Sequence, residues 1–103
     1  MRIDVVGRQL DLTDAIRSHA ESKASKLTKF YDGVQAIALT ISRIDHHKIA
    51  HYDVELRVDV EKHADFVSHS TGEDVYAAID DVVQKGSRQL ADFKEKLKTE
   101  NRG

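Results

Sequence analysis

The chain has 103 residues, no cysteine, no proline, five glycines and a net charge of −2. One domain is the expectation at this length, and about 65% of the unfolded surface can be buried, enough for one core. The composition excludes a disulfide framework and a thiolate metal site. No apolar run reaches bilayer length and "MRIDVVGRQL" lacks a signal-peptide core, so a cytoplasmic protein without a membrane partner is expected.

In chain order, "RIDVV" alternates with Ile3 and Val5 on one face and predicts a short strand ending at Gly7. "LDLTDAIRSHAESKASKLTKFY" changes period. Thr13 is the predicted N-cap. Ile16, Ala20, Ala24, Leu27 and Tyr31 form the apolar stripe of a helix that Asp32-Gly33 should end through a left-handed glycine. "AIALTISRI" predicts a second strand with Ile37, Leu39 and Ile41 facing in, and "DHHKIA" a turn. "HYDVELRVDVEK" alternates strictly from His51. Tyr52, Val54, Leu56, Val58 and Val60 face in, as in an antiparallel sheet with one wet face. "FVSHS" predicts a weaker fourth strand.

Thr71 and Asp74 resemble a capping box for a last helix. In that helix Tyr76, Ile79, Val83, Gly86, Leu90, Phe93 and Leu97 step by threes and fours. Gly86 within this seam points to close approach of a neighbouring element, since an interior glycine costs about 1 kcal/mol against alanine. The order β-α-β-β-β-α predicts an α+β two-layer sandwich: a four-stranded mixed sheet, its first two strands parallel through a right-handed crossover, and two helices on one face. The domain is expected to span 1–99, with 100–103 frayed.

Charge is unevenly placed. Residues 53–81 hold nine acids against Arg57 and Lys62, whereas "QKGSRQLADFKEKLK" holds five cations against two acids. Such a dipole suits a polyanion on one side. On helical wheels Lys85, Arg88 and Lys96 share one flank with Asp92 among them, and Lys94 and Lys98 share the other. His19, Lys23, Lys26 and Lys29 follow one flank of the first helix, with Arg17 opposite. Solvated lysines that keep the helices soluble are the alternative. Sparse aromatics argue against base stacking and for contacts to phosphate and sugar.

His46, His47, His51, His63 and His69 lie near the turns and strands of one half, but without HExxH or cysteine they are read as polar surface, not a metal site. The serines lack a nucleophile-elbow context and there is no glycine-rich phosphate loop. Nothing assembles an acid, a base and an oxyanion site, so neither an enzyme, a cofactor nor a small-molecule substrate is expected.

The segments "DLTDAIRSHAESKASKLTKFYD" and "GEDVYAAIDDVVQKGSRQLADFKEKLK", most specifically "TDAIR", "KASKL", "EDVYAAID" and "KGSRQL", resemble the ribosome hibernation-promoting factors, also called ribosome-associated inhibitors or ribosomal subunit interface proteins. The resemblance covers almost the whole chain. It implies a fold similar to double-stranded-RNA-binding domains. It also implies a stress or stationary-phase translation inhibitor that occupies the mRNA and tRNA channel of the small subunit and competes with both. The partners implied are 16S rRNA and the 70S ribosome. The residues carried over are Arg17, Lys23, Lys26 and Lys29 on the first helix and Lys85, Arg88, Lys94, Lys96 and Lys98 on the second. Exchanging Lys85 and Arg88 for glutamate is expected to weaken ribosome binding at nearly unchanged stability. Asp92 departs from the resemblance, because close members commonly carry lysine there. The chain resembles a short form without the second domain of long members. Short forms either promote paired ribosomes or keep inactive monomers; the missing acidic tail points to the pairing type. A structured-RNA-binding module without a ribosomal address is the alternative function.

Overall fold

The computed structural model describes residues 1–46 and 48–100, with the side chains of His46 and Glu100 left aside. The elements are β1 (Arg2–Arg8), α1 (Asp14–Ser25), a 3₁₀ turn (Lys26–Lys29), β2 (Val34–His46), β3 (Ile49–Val60), β4 (Phe66–Gly72) and α2 (Val75–Glu100). The sheet order is β1-β2-β3-β4. β1 and β2 are parallel, and the other pairs antiparallel. The α+β architecture read from the sequence is therefore observed, including the crossover through α1.

The pleat sets the core. Register aligns Val5, Leu39, Leu56 and Ser68 across all four strands, and next to them Gly7, Ile41, Val54 and Ser70. Successive side chains point to opposite faces, so these rows share the inner face. Ile16, Ala20, Ala24 and Leu27 of the first helical segment join Val75, Ile79, Val82 and Leu90 of α2 in one cluster with that face. Both helices thus cover the same side. Leu39 and Leu56 are completely buried, each worth about 1.5–3 kcal/mol.

β4 reads weakly in sequence because it offers serines where its neighbours offer aliphatics. Both hydroxyls are taken by α2: Ser68 Oγ donates to the Val82 carbonyl at 3.5 Å and Ser70 Oγ to Asp81 at 2.5 Å. Buried polar groups need such partners.

Local details differ from the sequence reading. β1 continues through Gly7 to Arg8, and the chain turns at Gln9, which has φ 56°. Thr13 caps α1 as expected, accepting from the Ile16 amide at 3.1 Å. The helix does not run to Tyr31, however. It tightens into the 3₁₀ turn, whose end is closed by the Phe30 amide on the Leu27 carbonyl. Gly33 is not left-handed; its lack of a side chain leaves room for the Tyr31 ring, which a Cβ there would overlap. Thr71 lies within β4, and Asp74 alone caps α2, accepting from the Tyr76 and Ala77 amides. The β2–β3 turn is tighter than "DHHKIA" implied, since pairing extends to His46 and Ile49. Glu100 belongs to α2; the rest of the expected frayed end lies outside the described residues, as does His47.

Candidate nucleic-acid interface

α1 and α2 run in the same direction across the sheet. His19 meets Tyr76 and Asp80, Leu27 lies beside Gly86, and Tyr31 meets Phe93. The cations beyond these contacts therefore collect at one end of the helical layer. Lys26 and Lys29 lie on the 3₁₀ turn and Lys94, Lys96 and Lys98 in the last turns of α2. Lys94 and Lys98 follow Asp80 at helical spacing, on the side of α2 that faces α1. All five are exposed. Helix C-termini attract cations through the macrodipole, which makes this a stable place to concentrate them. Lys98 is 3.8 Å from Glu95, an exposed pair that leaves the ammonium available.

The other four candidates are placed differently. Arg17 turns away from α2 and its guanidinium donates to the Val5 carbonyl of edge strand β1 at 3.2 Å. Lys23 is 3.7 Å from Asp80, which also receives His19 at 2.8 Å. Lys85 donates to the His69 carbonyl of the opposite edge strand, β4, at 2.7 Å and lies 3.4 Å from Asp81. Gln89, one turn on, donates to the Val67 carbonyl at 3.3 Å. Arg88 is exposed on α2 beyond these contacts. Hence Arg17 and Lys85 cover carbonyls of the two edge strands, a device that discourages pairing with another chain. The single basic wall expected from the sequence is a cationic pole plus a set of cations held by the protein itself.

The electrostatics around Lys85 centre on Asp81. The Ser70 hydroxyl chiefly, with the Lys85 and Arg88 charges, holds its carboxyl below the usual value; desolvation opposes this only partly.

Sequence reasoning missed an aromatic group beside the pole. The His63 ring lies almost parallel to Phe66, centroids 4.8 Å apart and 12° between planes, and 4.6 Å from Phe93. Phe66 and Phe93 meet edge to face at 5.3 Å, and Tyr31 meets Phe93 at the same distance. These rings come from three separate stretches, around residues 31, 63–66 and 93, so no local spacing announces the group. Lys62, with φ 58°, adds a further cation to this region. Among the described residues the histidines have separate partners: His19 meets Asp80 at 2.8 Å, His69 meets Glu55 at 3.2 Å and His63 stacks on Phe66. Among the described residues no group of three or more His, Cys, Asp or Glu is placed to hold a metal, and no helix is long and apolar enough to cross a membrane.

A family model described as sigma 54 modulation protein / S30EA ribosomal protein matches residues 3–98. The chain belongs to this family. Among S30EA relatives, the ribosome hibernation promoting factor of Azotobacter vinelandii is 34% identical over 98 residues, covering 93% of this chain and 85% of the relative. The N-terminal domain of Thermus thermophilus Protein Y superposes with a TM-score of 0.77 at 31% identity, covering 90% of this chain and 99% of that one. A ribosomal subunit interface protein from Coxiella burnetii shares the fold, with a TM-score of 0.79 at 21% identity over 92% of this chain and 99% of its own. The S30EA match spans both helices and therefore the whole cationic pole.

Proposed function

We propose that this chain is a ribosome-binding translation inhibitor that holds ribosomes in hibernation. It docks on 16S rRNA of the small subunit, fills the channel used by mRNA and tRNA, and acts by occupancy, not by chemistry. Membership of the S30EA family supports this reading, as does the name of the Azotobacter relative. The observation that carries it is the pole at the ends of α1 and α2, where Lys26, Lys29, Lys94, Lys96 and Lys98 stand exposed on a chain of net negative charge. Clustered lysines without a companion row of recognition side chains read phosphate position and RNA shape. Arg88 extends the contact along α2, while Arg17, Lys23 and Lys85 serve it indirectly by fixing the helices on the sheet. The acids at the start of α2, Glu73, Asp74, Asp80 and Asp81, turn the opposite end away from RNA and orient the approach.

The test is co-sedimentation with small subunits and 70S ribosomes on sucrose gradients. One-to-one saturable binding that declines as tRNA and mRNA fill the channel is expected. Retention on bare duplex RNA with no binding to ribosomes would overturn the ribosomal address.

A further inference from the structure

Resting on the RNA-binding reading, we infer that the niche between the 61–65 loop and the last turns of α2 is a subsite for one unpaired guanine nucleotide. The niche encloses about 500 Å³ and is lined by Lys62, His63, Phe66, Asp92, Phe93 and Lys96, a size within the ordinary range for small-molecule sites.

Its floor is aromatic. Phe66 and Phe93 are half-buried, and the exposed His63 ring continues their stack outward at 4.8 Å from Phe66. The imidazole is itself oriented, with Nδ1 2.6 Å from the Ala64 carbonyl. A planar base extends such a stack, and base–aromatic contacts are worth about 1–3 kcal/mol each.

The rim is charged with both signs. Lys62 and Lys96 suit phosphate oxygens on either side of the base. Lys62 is held in the left-handed region, where a non-glycine residue is uncommon and points to a constraint. Asp92 repels phosphate, which is why it interrupts the basic flank so awkwardly on a purely electrostatic reading. A carboxylate instead accepts two N–H groups side by side. Guanine offers N1–H and N2–H₂ on its Watson–Crick edge; adenine and cytosine offer one amino group next to an acceptor, and uracil one imino group between two carbonyls. Unpaired RNA bases present these edges. Among the described residues, Lys62, Asp92 and Lys96 make no ion pair, so all three are open to a ligand.

The test uses the full chain, ¹⁵N-labelled, titrated with heptauridylate and with heptamers carrying one central guanine, adenine or cytosine. Amide shifts at residues 62–66 and 89–97 are expected. The guanine oligomer should bind about tenfold more tightly than heptauridylate, within the range of a two-bond base-edge contact. Asp92→Asn should abolish that preference, and Asp92→Lys should tighten all four oligomers alike. His63→Ala should weaken all four about fivefold, at the low end for removal of one stacking ring. Shifts confined to the groove between α1 and α2, or equal affinity for the four oligomers, would overturn the subsite. Co-sedimentation of the wild-type chain with ribosomes separates the two readings: ribosome binding by a chain whose niche ignores RNA sinks only the subsite, whereas a chain that ignores ribosomes sinks the hibernation reading.

Discussion

The Lys85 ammonium donates to the His69 carbonyl at 2.7 Å and lies 3.4 Å from the Asp81 carboxylate. A side chain expected to face RNA thus fastens α2 to the edge strand. Lys85→Glu should remove this bond and set a second carboxylate beside Asp81. The expected loss is about 1 kcal/mol, the scale of one intramolecular hydrogen bond, or about 5 °C in Tm for a domain of this size. The near-neutral stability expected for the Lys85 and Arg88 double exchange is revised accordingly. Arg88→Glu alone should leave the melting curve in place. Thermal melts of the two single variants check this, and equal Tm values would show that the edge contact contributes nothing.

Lys94 and Lys98 are the cleaner probes of the proposed RNA surface, since both are exposed and, among the described residues, only the weak pair with Glu95 involves either. Lys94→Glu with Lys98→Glu should weaken ribosome binding at unchanged Tm. The slope of log affinity against log salt should fall by about 0.7–0.9 for each phosphate that the variant no longer neutralises. Co-sedimentation between about 50 and 200 mM salt measures it. An unchanged slope would remove these lysines from the interface.

Asp81 links the same corner to pH. Its ionised form is favoured in the folded chain, chiefly by the Ser70 hydroxyl, so the folded state binds fewer protons in this range than the unfolded one. The resulting stability is complete above the ordinary carboxyl value of 3.8 and disappears as pH falls through the lower folded value. The Tm advantage of wild type over Ser70→Ala should therefore hold from pH 7 to about 5 and shrink below about 4. Melts across that range test the sign; a gap that widens in acid would contradict it.

Gly86 marks where α2 descends onto the sheet. A Cβ there would overlap the Leu56 side chain, which is fully buried and cannot swing into solvent, and would touch Leu27. Gly86→Ala gains about 1 kcal/mol of helix propensity, but overpacking a filled core costs about 1–3 kcal/mol. Net destabilisation of about 1 kcal/mol is expected in urea unfolding, together with relief by Leu56→Val. A stabilised Gly86→Ala variant would mean that the helix rests less tightly on β3.

Much of this protein was readable in one dimension. Thr13 announces its helix because a cap acts within three residues, and the alternation from Tyr52 to Val60 announces its strand because the pleat has period two. The step pattern of α2 identified its buried side from Ile79 onward and, through Gly86, the close approach of a neighbour; at the start of the helix Val75 and Ala78 are buried and Tyr76, which the pattern placed inside, is exposed. The cationic residues could be counted and placed on wheels. The wheel could not say which of them the protein uses for itself. Arg17 and Lys85 are taken up by carbonyls of strands 12 and 16 residues away in sequence, a relation created only when helices pack over sheet edges. The Gly33 and Thr71 readings missed for a similar reason: a ring and a strand partner, neither of them local signals, decided those positions.

The sequence by itself determined the element order, the buried faces and the surplus of cations near the C-terminus, because each depends on short-range periodicity or composition. Only the tertiary structure decided that α1 and α2 run the same way, bringing Lys26 and Lys29 to the end that carries Lys94, Lys96 and Lys98. It also brought Tyr31, His63, Phe66 and Phe93 into one aromatic group beside Asp92. Both outcomes follow from burying two apolar stripes on one sheet face, a long-range condition that no window of the sequence contains.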